Sequence, residues 1–435
     1  MPLSPKNDDS CGWIKSLPKR KANPSIKGVT RTKWVVIGAG YSGLSAAITL
    51  AENYPEEQII LVDANSAGEG ASSRNSGYLV DSTLNDGHLS DTGLNAYKSK
   101  YELNQLAVQC VRDLIKKYEI QCDWNECGKF YATATLKIKD KLHKFHHLLD
   151  QLQIENTLFE KDALANRLGT DFYKLAVKTQ GGAIIQPAAL ARGLVNALPE
   201  NIHLYENSAV LSILKGSPHK VLFEDGEIVA DKMIIAINGY MPSLGIKKDR
   251  VFPLLLTASL TRPLSLEEQK QINNVEEWAV LSANAMGATI RYTQDKRIMI
   301  RNTVEVSSRL QLTPSQLATR QQSHLKGLQK RFNFLPDDIF ESAWSGVTCI
   351  SANNANVFEQ IHKNYWVIGC YNGGGIGLSI LFGQQIAFQA MQQPQALAKK
   401  ITARPQAVWL PPQPFLSLGI MAKLAKDRLG AKLDN

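Results

Sequence analysis

Several features that would place this 435-residue chain in a specialised class are missing. No apolar run approaches the roughly 20 residues that a membrane-spanning helix needs. The first 30 residues lack the apolar core of a secretory signal peptide, which favours a cytoplasmic location. The six cysteines include no CxxC pair, so we expect reduced thiols rather than a disulfide framework.

Positive charge is concentrated at the two ends of the chain, whose formal net charge is +9. Residues 1–33 carry eight Lys and Arg against two Asp, and residues 399–435 carry seven against two. The body between them is therefore nearly neutral. We expect solvated tails that aid solubility. If the ends have a partner, an anionic membrane surface is favoured over nucleic acid, and the protein would then lie peripheral to the inner membrane.

A buried strand, a glycine-rich turn, a helix and a second buried strand follow one another in residues 33–64. In the turn, GAGYSG, Gly38 permits the sharp bend and Gly40 lets backbone N–H groups approach a pyrophosphate. Gly43 lets the helix pack closely on the strand. Asp63 ends the second strand, twenty residues past Gly43, where it can accept a hydrogen bond from a ribose hydroxyl. Together these signals predict dinucleotide binding.

Two more glycine-rich loops occur along the chain. The loop GASSRNSG at 70–77 follows the ribose acid closely and can lay backbone N–H groups and small side chains along a cofactor. The turn NGGGIG at 372–377 follows a buried strand at 365–370 and leads into a helix at 378–390. It is a second strand-to-helix turn, more than 300 residues after the first.

The remaining pattern suggests a second domain, as the length of the chain also does. Strands of mixed polarity at 254–261 and 289–300 indicate a separate sheet, and residues 96–152 are rich in helix formers. Histidines at 143, 146 and 147 have helical spacing, but lysines flank them, so a solvated helix face is favoured over a metal site and no metal is predicted.

These motifs resemble those of the glycine oxidase/D-amino acid oxidase superfamily of FAD-dependent oxidoreductases. The branch most similar is that of the gamma-glutamylputrescine oxidase and sarcosine oxidase-like amine oxidases. The similarity covers roughly residues 30–400, in the family's order. The segments that carry it are GAGYSGLSAA (38–47), GASSRNSG (70–77), GGAIIQPAALARGL (181–194), INGYMPSLG (237–245) and the turn at 373–377.

The resemblance implies an α/β architecture with a Rossmann-like FAD-binding domain and an interleaved α+β substrate domain on a mixed or antiparallel sheet. The implied segments are an N-terminal arm, 1–29; an FAD-binding domain, 30–90, 155–245 and 335–400; a substrate domain, 91–154 and 246–334; and a basic C-terminal tail, 401–435.

The resemblance also implies which residues contact FAD. They are Gly38, Gly40, Tyr41, Ser42, Gly43, Asp63, Ala64, Ser72, Ser73, Arg74, Asn75, Ser76, Gly77, Val210, Asn238, Gly373, Gly374, Gly375 and Ile376. The helix that follows Gly377 would direct its dipole at the flavin and stabilise negative charge on it.

Substrate contacts are predicted for five residues. Arg291 and Arg301 lie on the predicted substrate strands, where a guanidinium can clamp a carboxylate; a surface arginine is the alternative. Tyr240, Tyr371 and Asn372 adjoin the flavin loops and are candidates for the pocket wall. Two further residues have less specific roles: Trp13 can cap the pocket or anchor the arm, and His88 is expected to be a surface or capping histidine.

The implied activity is oxidation of the C–N bond of a small-molecule amine or amino acid by hydride transfer to flavin, giving an imine that hydrolyses. Two departures affect this expectation: many relatives have histidine at Gly374, and Arg301 stands where relatives often have glycine. Three alternatives stay open: an NAD(P)-dependent reductase, a flavoprotein that modifies a macromolecule such as a tRNA base side chain, and a non-enzymatic flavin-fold scaffold.

The flavin is expected to be bound non-covalently. Sarcosine oxidase-like relatives tether FAD through a cysteine near the C-terminal flavin segment. The offset of Cys349 does not match that position, and Cys370 ends an apolar strand that disfavours a reactive thiolate.

Overall fold

The computed structural model describes residues 5–84 and 93–435, so His88 lies outside the described residues. The strands are β1 (Gly28–Ile37), β2 (Ile59–Val62), β3 (Tyr78–Leu79), β4 (Lys129–Thr133), β5 (Asn156–Glu160), β6 (Leu175–Thr179), β7 (Ala183–Ile184), β8 (Ile202–Tyr205), β9 (Ser212–Leu214), β10 (His219–Leu222), β11 (Gly226–Ile235), β12 (Phe252–Thr261), β13 (Trp278–Ser282), β14 (Thr289–Tyr292), β15 (Ile298–Glu305), β16 (Phe340–Ile350), β17 (Val357–His362) and β18 (Tyr365–Gly369).

The helices range from single turns to 24 residues. They are α1 (Gly12–Lys15), α2 (Tyr41–Asn53), α3 (Ala71–Arg74), α4 (Leu94–Lys117), α5 (Lys139–Gln151), α6 (Lys161–Leu168), α7 (Pro187–Asn196), α8 (Leu266–Gln271), α9 (Pro314–Gln329), α10 (Gly375–Ala390), α11 (Ala396–Thr402) and α12 (Phe415–Gly430). Within the described ranges, no helix is both long enough and apolar enough to cross a membrane.

The first sheet has a parallel core with the strand order β18-β11-β1-β2-β8. β17 adds antiparallel to β18, and the hairpin β9-β10 adds to β11. Side chains alternate between two apolar layers. Val36 of β1 packs in the core formed with α2 and α10, whereas its neighbour Val35 packs on the opposite face. The predicted Rossmann-like sheet, covered on both faces, is confirmed.

The second sheet has the order β16-β12-β15-β14-β13-β4-β6-β5. Its strand pairs are antiparallel except for β13 and β4, where Val280 lies opposite Phe130 in parallel register. The apolar side of α9 packs on this sheet through Leu325 and Leu328. The predicted mixed sheet is therefore confirmed.

The chain segments that form each sheet do not coincide with the predicted domain limits. β5 and β6 fall within the segment 155–245 and β16 falls within 335–400, yet all three strands belong to the second sheet. Similarly, β4 interrupts residues 96–152, whose composition predicts helix. The pattern of β16 identifies a strand but not its partner. It pairs with β12, with Thr348 opposite Leu254, almost a hundred residues earlier.

The N-terminal arm is docked on the body, so the prediction of a solvated tail is wrong here. The Asp8 carboxylate forms an ion pair with Arg74 at 2.8 Å. Trp13 is buried, and its ring N–H donates to the carbonyl of Asn75 at 3.0 Å. Of its two predicted roles, Trp13 therefore anchors the arm, because its side chain is enclosed by the body.

The basic C-terminal segment is docked as well, and the solvated-tail prediction is wrong for the same reason. α12 buries Leu416 against the second sheet. After the helix, Asp434 is only 1% exposed. Its carboxylate accepts hydrogen bonds from the backbone N–H of Ala134 at 2.7 Å and the Asn284 amide at 2.6 Å. A count of charges along the sequence does not reveal that one carboxylate is enclosed by donors.

Candidate active site

The turn between β1 and α2 is shaped by glycines at positions where a side chain would not fit. A Cβ on Gly43 would lie 1.7 Å from the carbonyl oxygen of Gly38, whose own φ is +99°. A Cβ on Gly40 would lie 2.9 Å from the Ser72 hydroxyl. This bare backbone leaves space at the start of α2, where the N-cap is a glycine and Ser72 accepts only the first N–H of the helix. The free N–H groups and the helix dipole there suit a phosphate group.

Asp63 lies where β2 ends, beside the same turn. Its carboxylate accepts hydrogen bonds from the backbone N–H groups of Ala39 at 2.7 Å and Asn65 at 2.9 Å. Burial raises the pKa of Asp63 to about 6, and no Lys or Arg forms an ion pair with it among the residues described. The carboxylate therefore stabilises the turn and retains capacity to accept further hydrogen bonds, as a ribose would supply.

The loop that contains α3 directs some of its predicted residues to the cavity and some away from it. Ser72 accepts the backbone N–H of Tyr41 at 2.9 Å, which joins the loop to the start of α2. Ser73 turns inward and donates to the Gly68 carbonyl at 2.6 Å. Gly77, with φ of +77°, is needed because a Cβ there would strike the Ile185 carbonyl.

A second helix begins at this cavity. α10 starts at Gly375, three residues before the helix predicted at 378–390, and its N-cap has no side-chain hydrogen bond. Two helices whose N-caps are glycines thus direct their N-termini at one space, which favours a ligand with negative charge. A Cβ on Gly374 would be 3.5 Å from Val80, an ordinary contact, so the backbone leaves room where many relatives have histidine.

Three of the predicted contacts around α10 also connect separate parts of the chain. The hydroxyl groups of Tyr371 and Ser42 are hydrogen-bonded at 2.6 Å, which links the two glycine turns. The Asn238 side chain accepts the backbone N–H of Cys370 at 2.9 Å. Asn372, with φ of +51°, accepts the N–H of Ser351 at 2.9 Å. The side-chain amide of Asn372 therefore stabilises the fold, although Asn372 also lines the cavity.

A cavity of about 670 Å³ lies between the two sheets and collects most of the predicted residues. The predicted residues on its wall are Gly38, Gly40, Tyr41, Ser42, Asp63, Ala64, Ser72, Arg74, Asn75, Ser76, Val210, Asn238, Tyr240, Arg301, Tyr371, Asn372, Gly373, Gly374, Gly375 and Ile376. Those outside the wall are Gly43, Ser73, Gly77 and Arg291.

The two predicted arginines have different environments. The guanidinium of Arg291 is buried, pairs with Glu277 at 3.1 Å and donates to the Ile185 carbonyl. It is a structural arginine behind the cavity wall and not part of it, so the prediction that Arg291 clamps substrate is wrong. Arg301 lines the cavity and donates to the Thr289 hydroxyl at 2.6 Å. Burial lowers the pKa of Arg301, and no carboxylate pairs with it among the described residues.

Sequence reasoning missed wall residues from the second sheet and α4. Thr289 lies opposite Arg301 in the β14-β15 pair and orients its guanidinium. The polar turn between those strands, TQDKR at 293–297, is the signal that would have paired them. Trp344 and Asn104 also reach the wall. Nothing in the local sequence around these two residues indicates that they line the cavity, because their position depends on how the two sheets pack together.

Comparison with known proteins agrees with this geometry. Residues 33–389 match the family described as FAD dependent oxidoreductase. The chain is 27% identical, over 369 residues, to gamma-glutamylputrescine oxidoreductase of Escherichia coli, covering 81% of this chain and 82% of the relative.

Solved structures share the fold. Glycine oxidase from Geobacillus kaustophilus has a TM-score of 0.67 at 18% identity, covering 84% of this chain and 96% of that one. L-Amino acid deaminase from Proteus myxofaciens has a TM-score of 0.68 at 12% identity, covering 90% and 95%.

The residues of the site fit FAD. The bare turn at Gly40 provides space for phosphate, Asp63 can accept ribose hydroxyls, and α10 adds a second positive helix end. An NAD(P)-dependent reductase, which the first turn alone would allow, does not agree with the family match over 33–389. The chain belongs to the FAD dependent oxidoreductase family and is an FAD-dependent enzyme.

Proposed function

We propose that the enzyme oxidises the C–N bond of a small amine that carries a carboxylate group, such as an amino acid or an N-substituted amino acid. The observation that carries the proposal is Arg301, a cation on the cavity wall without a carboxylate partner among the described residues. The names of the related enzymes, which refer to a glutamyl-amine, to glycine and to L-amino acids, support the same substrate class.

The charges on the cavity wall support a substrate with negative charge. Among the described residues, Asp63 is the one acidic side chain on the wall, and it lies at the dinucleotide turn. The cationic side chains on the wall are Lys6, Arg74, Lys100, Arg301 and Arg404. A ligand with positive charge alone would be repelled, whereas a carboxylate can form charge-assisted hydrogen bonds with Arg301.

Bound FAD would supply an acceptor for a hydride from the carbon next to the substrate nitrogen. Asp63, the turn at Gly40 and the start of α10 would hold the cofactor. Arg301, oriented by Thr289, would bind the substrate carboxylate and thereby fix the position of the reacting carbon. The imine product then takes up water and releases the amine and a carbonyl compound.

The wall favours the neutral form of the substrate amine. Among the described residues it contains no histidine, and burial raises the pKa of Tyr240 to about 12, so that this hydroxyl keeps its proton at neutral pH. Apart from Asp63, which lies at the dinucleotide turn, the described wall therefore offers no carboxylate or histidine as a general base near neutral pH. The positive charge of Arg301 disfavours an ammonium group nearby. The value of kcat/KM should therefore increase with pH up to the pKa of the substrate amine.

We also infer that FAD is held without a covalent bond. Neither Cys349 nor Cys370 is on the cavity wall, and both are fully buried. The Cys349 thiol donates a hydrogen bond to Cys370, and this bond together with burial raises the pKa of Cys349, which suppresses the thiolate needed for a thioether. Acid precipitation should leave a colourless pellet and a yellow supernatant. Flavin fluorescence that stays with the denatured chain would contradict this inference.

The substrate proposal is tested by anaerobic bleaching of the flavin absorbance with amino acids, N-substituted amino acids, their uncharged amides and simple diamines. Carboxylate-bearing amines should bleach the flavin at lower concentrations than their amides. The change Arg301→Met should raise KM for the carboxylate-bearing substrates about 10- to 100-fold, the equivalent of roughly 1.5–3 kcal/mol for a hydrogen bond to a charged group.

Thr289→Val is the matched variant for this test. It keeps the guanidinium but removes the hydroxyl that orients it, so its effect on KM should be smaller and in the same direction. The amides should show little change with either variant. Equal losses for acids and amides, with FAD still bound, would show that Arg301 does not recognise the carboxylate.

A further inference from the structure

Helix α12 is apolar on two opposite sides. One side packs on the second sheet through Leu416, Ile420 and Leu424, which repeat every four residues. The other side faces away from the protein: Phe415 is 68% exposed and Leu429 is 77% exposed. A helix that only covered a sheet would be polar on its outer side. The apolar outer side is therefore not explained by packing within this chain.

Exposed apolar side chains are concentrated around this helix. Of the thirteen exposed large hydrophobic side chains in the described part of the chain, seven lie between residues 408 and 433. They include Trp409, Phe415, Leu418, Met421 and Leu429. An exposed group of large apolar side chains of this kind marks an interaction surface more often than a solvated one.

Positive charge accompanies this apolar surface. Lys426, Arg428 and Lys432 are exposed in the same stretch. The acidic residue on the helix, Asp427, is neutralised locally by Lys423 at 2.9 Å. Basic side chains next to exposed Leu, Phe and Trp are the composition of a helix that lies in a membrane interface. An indole side chain is also favoured at that depth.

We propose that residues 408–433, with the outer side of α12 at their centre, are a docking surface for an anionic lipid bilayer. Charge complementarity favours a bilayer over a second copy of the chain as the binding partner. A symmetric contact would bring two copies of the same positively charged surface together, which is unfavourable. Anionic headgroups instead attract them while the apolar side chains enter the interface. The inference does not depend on which amine the enzyme oxidises.

The test is co-sedimentation of the full-length holoenzyme with vesicles. Phosphatidylcholine vesicles that contain phosphatidylglycerol should bind the enzyme at least tenfold more strongly than phosphatidylcholine alone, and added salt should reduce binding. Leu418→Ser combined with Leu429→Ser, and separately Lys426→Gln combined with Lys432→Gln, should each lower binding to the anionic vesicles about tenfold. Turnover of soluble substrate should be unchanged in all variants, since none of these residues lines the cavity.

Matched controls come from other exposed positions. Leu266 is 71% exposed on α8, and Lys116 is exposed on α4, so Leu266→Ser and Lys116→Gln should leave vesicle binding unchanged. Equal binding to both vesicle types, no binding to either, or equal losses in the controls would overturn the proposal. Concentration-dependent dimerisation that Leu418→Ser abolishes, without vesicle binding, would assign the surface to a second copy instead.

Discussion

The affinity of the enzyme for FAD should decrease in acid because of one carboxyl group, that of Asp63. In the protein without cofactor, burial raises the pKa of Asp63 from its ordinary value of 3.8 to about 6. Ribose hydroxyls that donate to this group favour its ionised form and so lower its pKa. FAD binding below pH 6 must therefore be accompanied by release of a proton, and a falling pH opposes it.

The magnitude follows from the pKa. At pH 7 the carboxyl is mostly ionised, and at pH 5 only about one molecule in eleven is ionised if the pKa is about 6. The dissociation constant should therefore increase about tenfold between pH 7 and pH 5, a change of about 1.4 kcal/mol. This holds as long as bound FAD lowers the pKa of Asp63 well below 5.

The stability of the protein without FAD should respond in the opposite direction. The folded pKa of Asp63 is above its unfolded value, so the stabilisation from this group is fully present below pH 3.8 and is lost as the pH rises through about 6. Other groups also titrate in this range. The contribution of Asp63 is therefore read as the difference between the parent and Asp63→Asn.

The assay is titration of the apoprotein with FAD, followed by flavin fluorescence, at pH 7, 6 and 5. Asp63→Asn should bind FAD more weakly at pH 7, by about 1–3 kcal/mol for a lost acceptor, and its affinity should no longer depend on pH. A parent affinity that does not change between pH 7 and pH 5 would refute the reasoning. The same would follow if Asp63→Asn kept the parent's pH dependence, because another group would then bind the proton.

Three further predictions concern the packing around the site. Gly43→Ala should abolish FAD retention, because its Cβ would lie 1.7 Å from a backbone oxygen, whereas Gly419→Ala, with nothing within 4 Å and off the cavity wall, should bind FAD normally in the same spectroscopic assay. Asp434→Ala should lower the melting temperature and raise KM, since it leaves buried donors without acceptors next to the wall residue Asn284; unchanged values for both would contradict the docked C-terminus. Cys370→Ser should leave the FAD content unchanged, because the thiol is not on the cavity wall. Loss of FAD from this variant would indicate that Cys370 holds the cofactor.

What the sequence by itself determined was local structure and the chemistry attached to it. The positive φ of Gly38, the close packing of Gly43 on Gly38 and the hydrogen bond from Ala39 to Asp63 all depend on backbone conformation and on neighbours within about 25 residues. Such constraints leave a readable pattern of residue types. The family resemblance extended this pattern to the turn at 373–377, of which residues 373–376 line the same cavity.

Only the tertiary structure decided between the two arginines and located the ends of the chain. Arg291 and Arg301 look alike in sequence, but the register that places Trp278 opposite Tyr292 brings Glu277 beside Arg291 and leaves Arg301 to the cavity. In the same way, a net positive tail is docked because one of its carboxylates meets donors from distant loops. Contacts between residues far apart in sequence depend on strand register and on how the sheets meet, and neither is encoded in a local pattern of residue types.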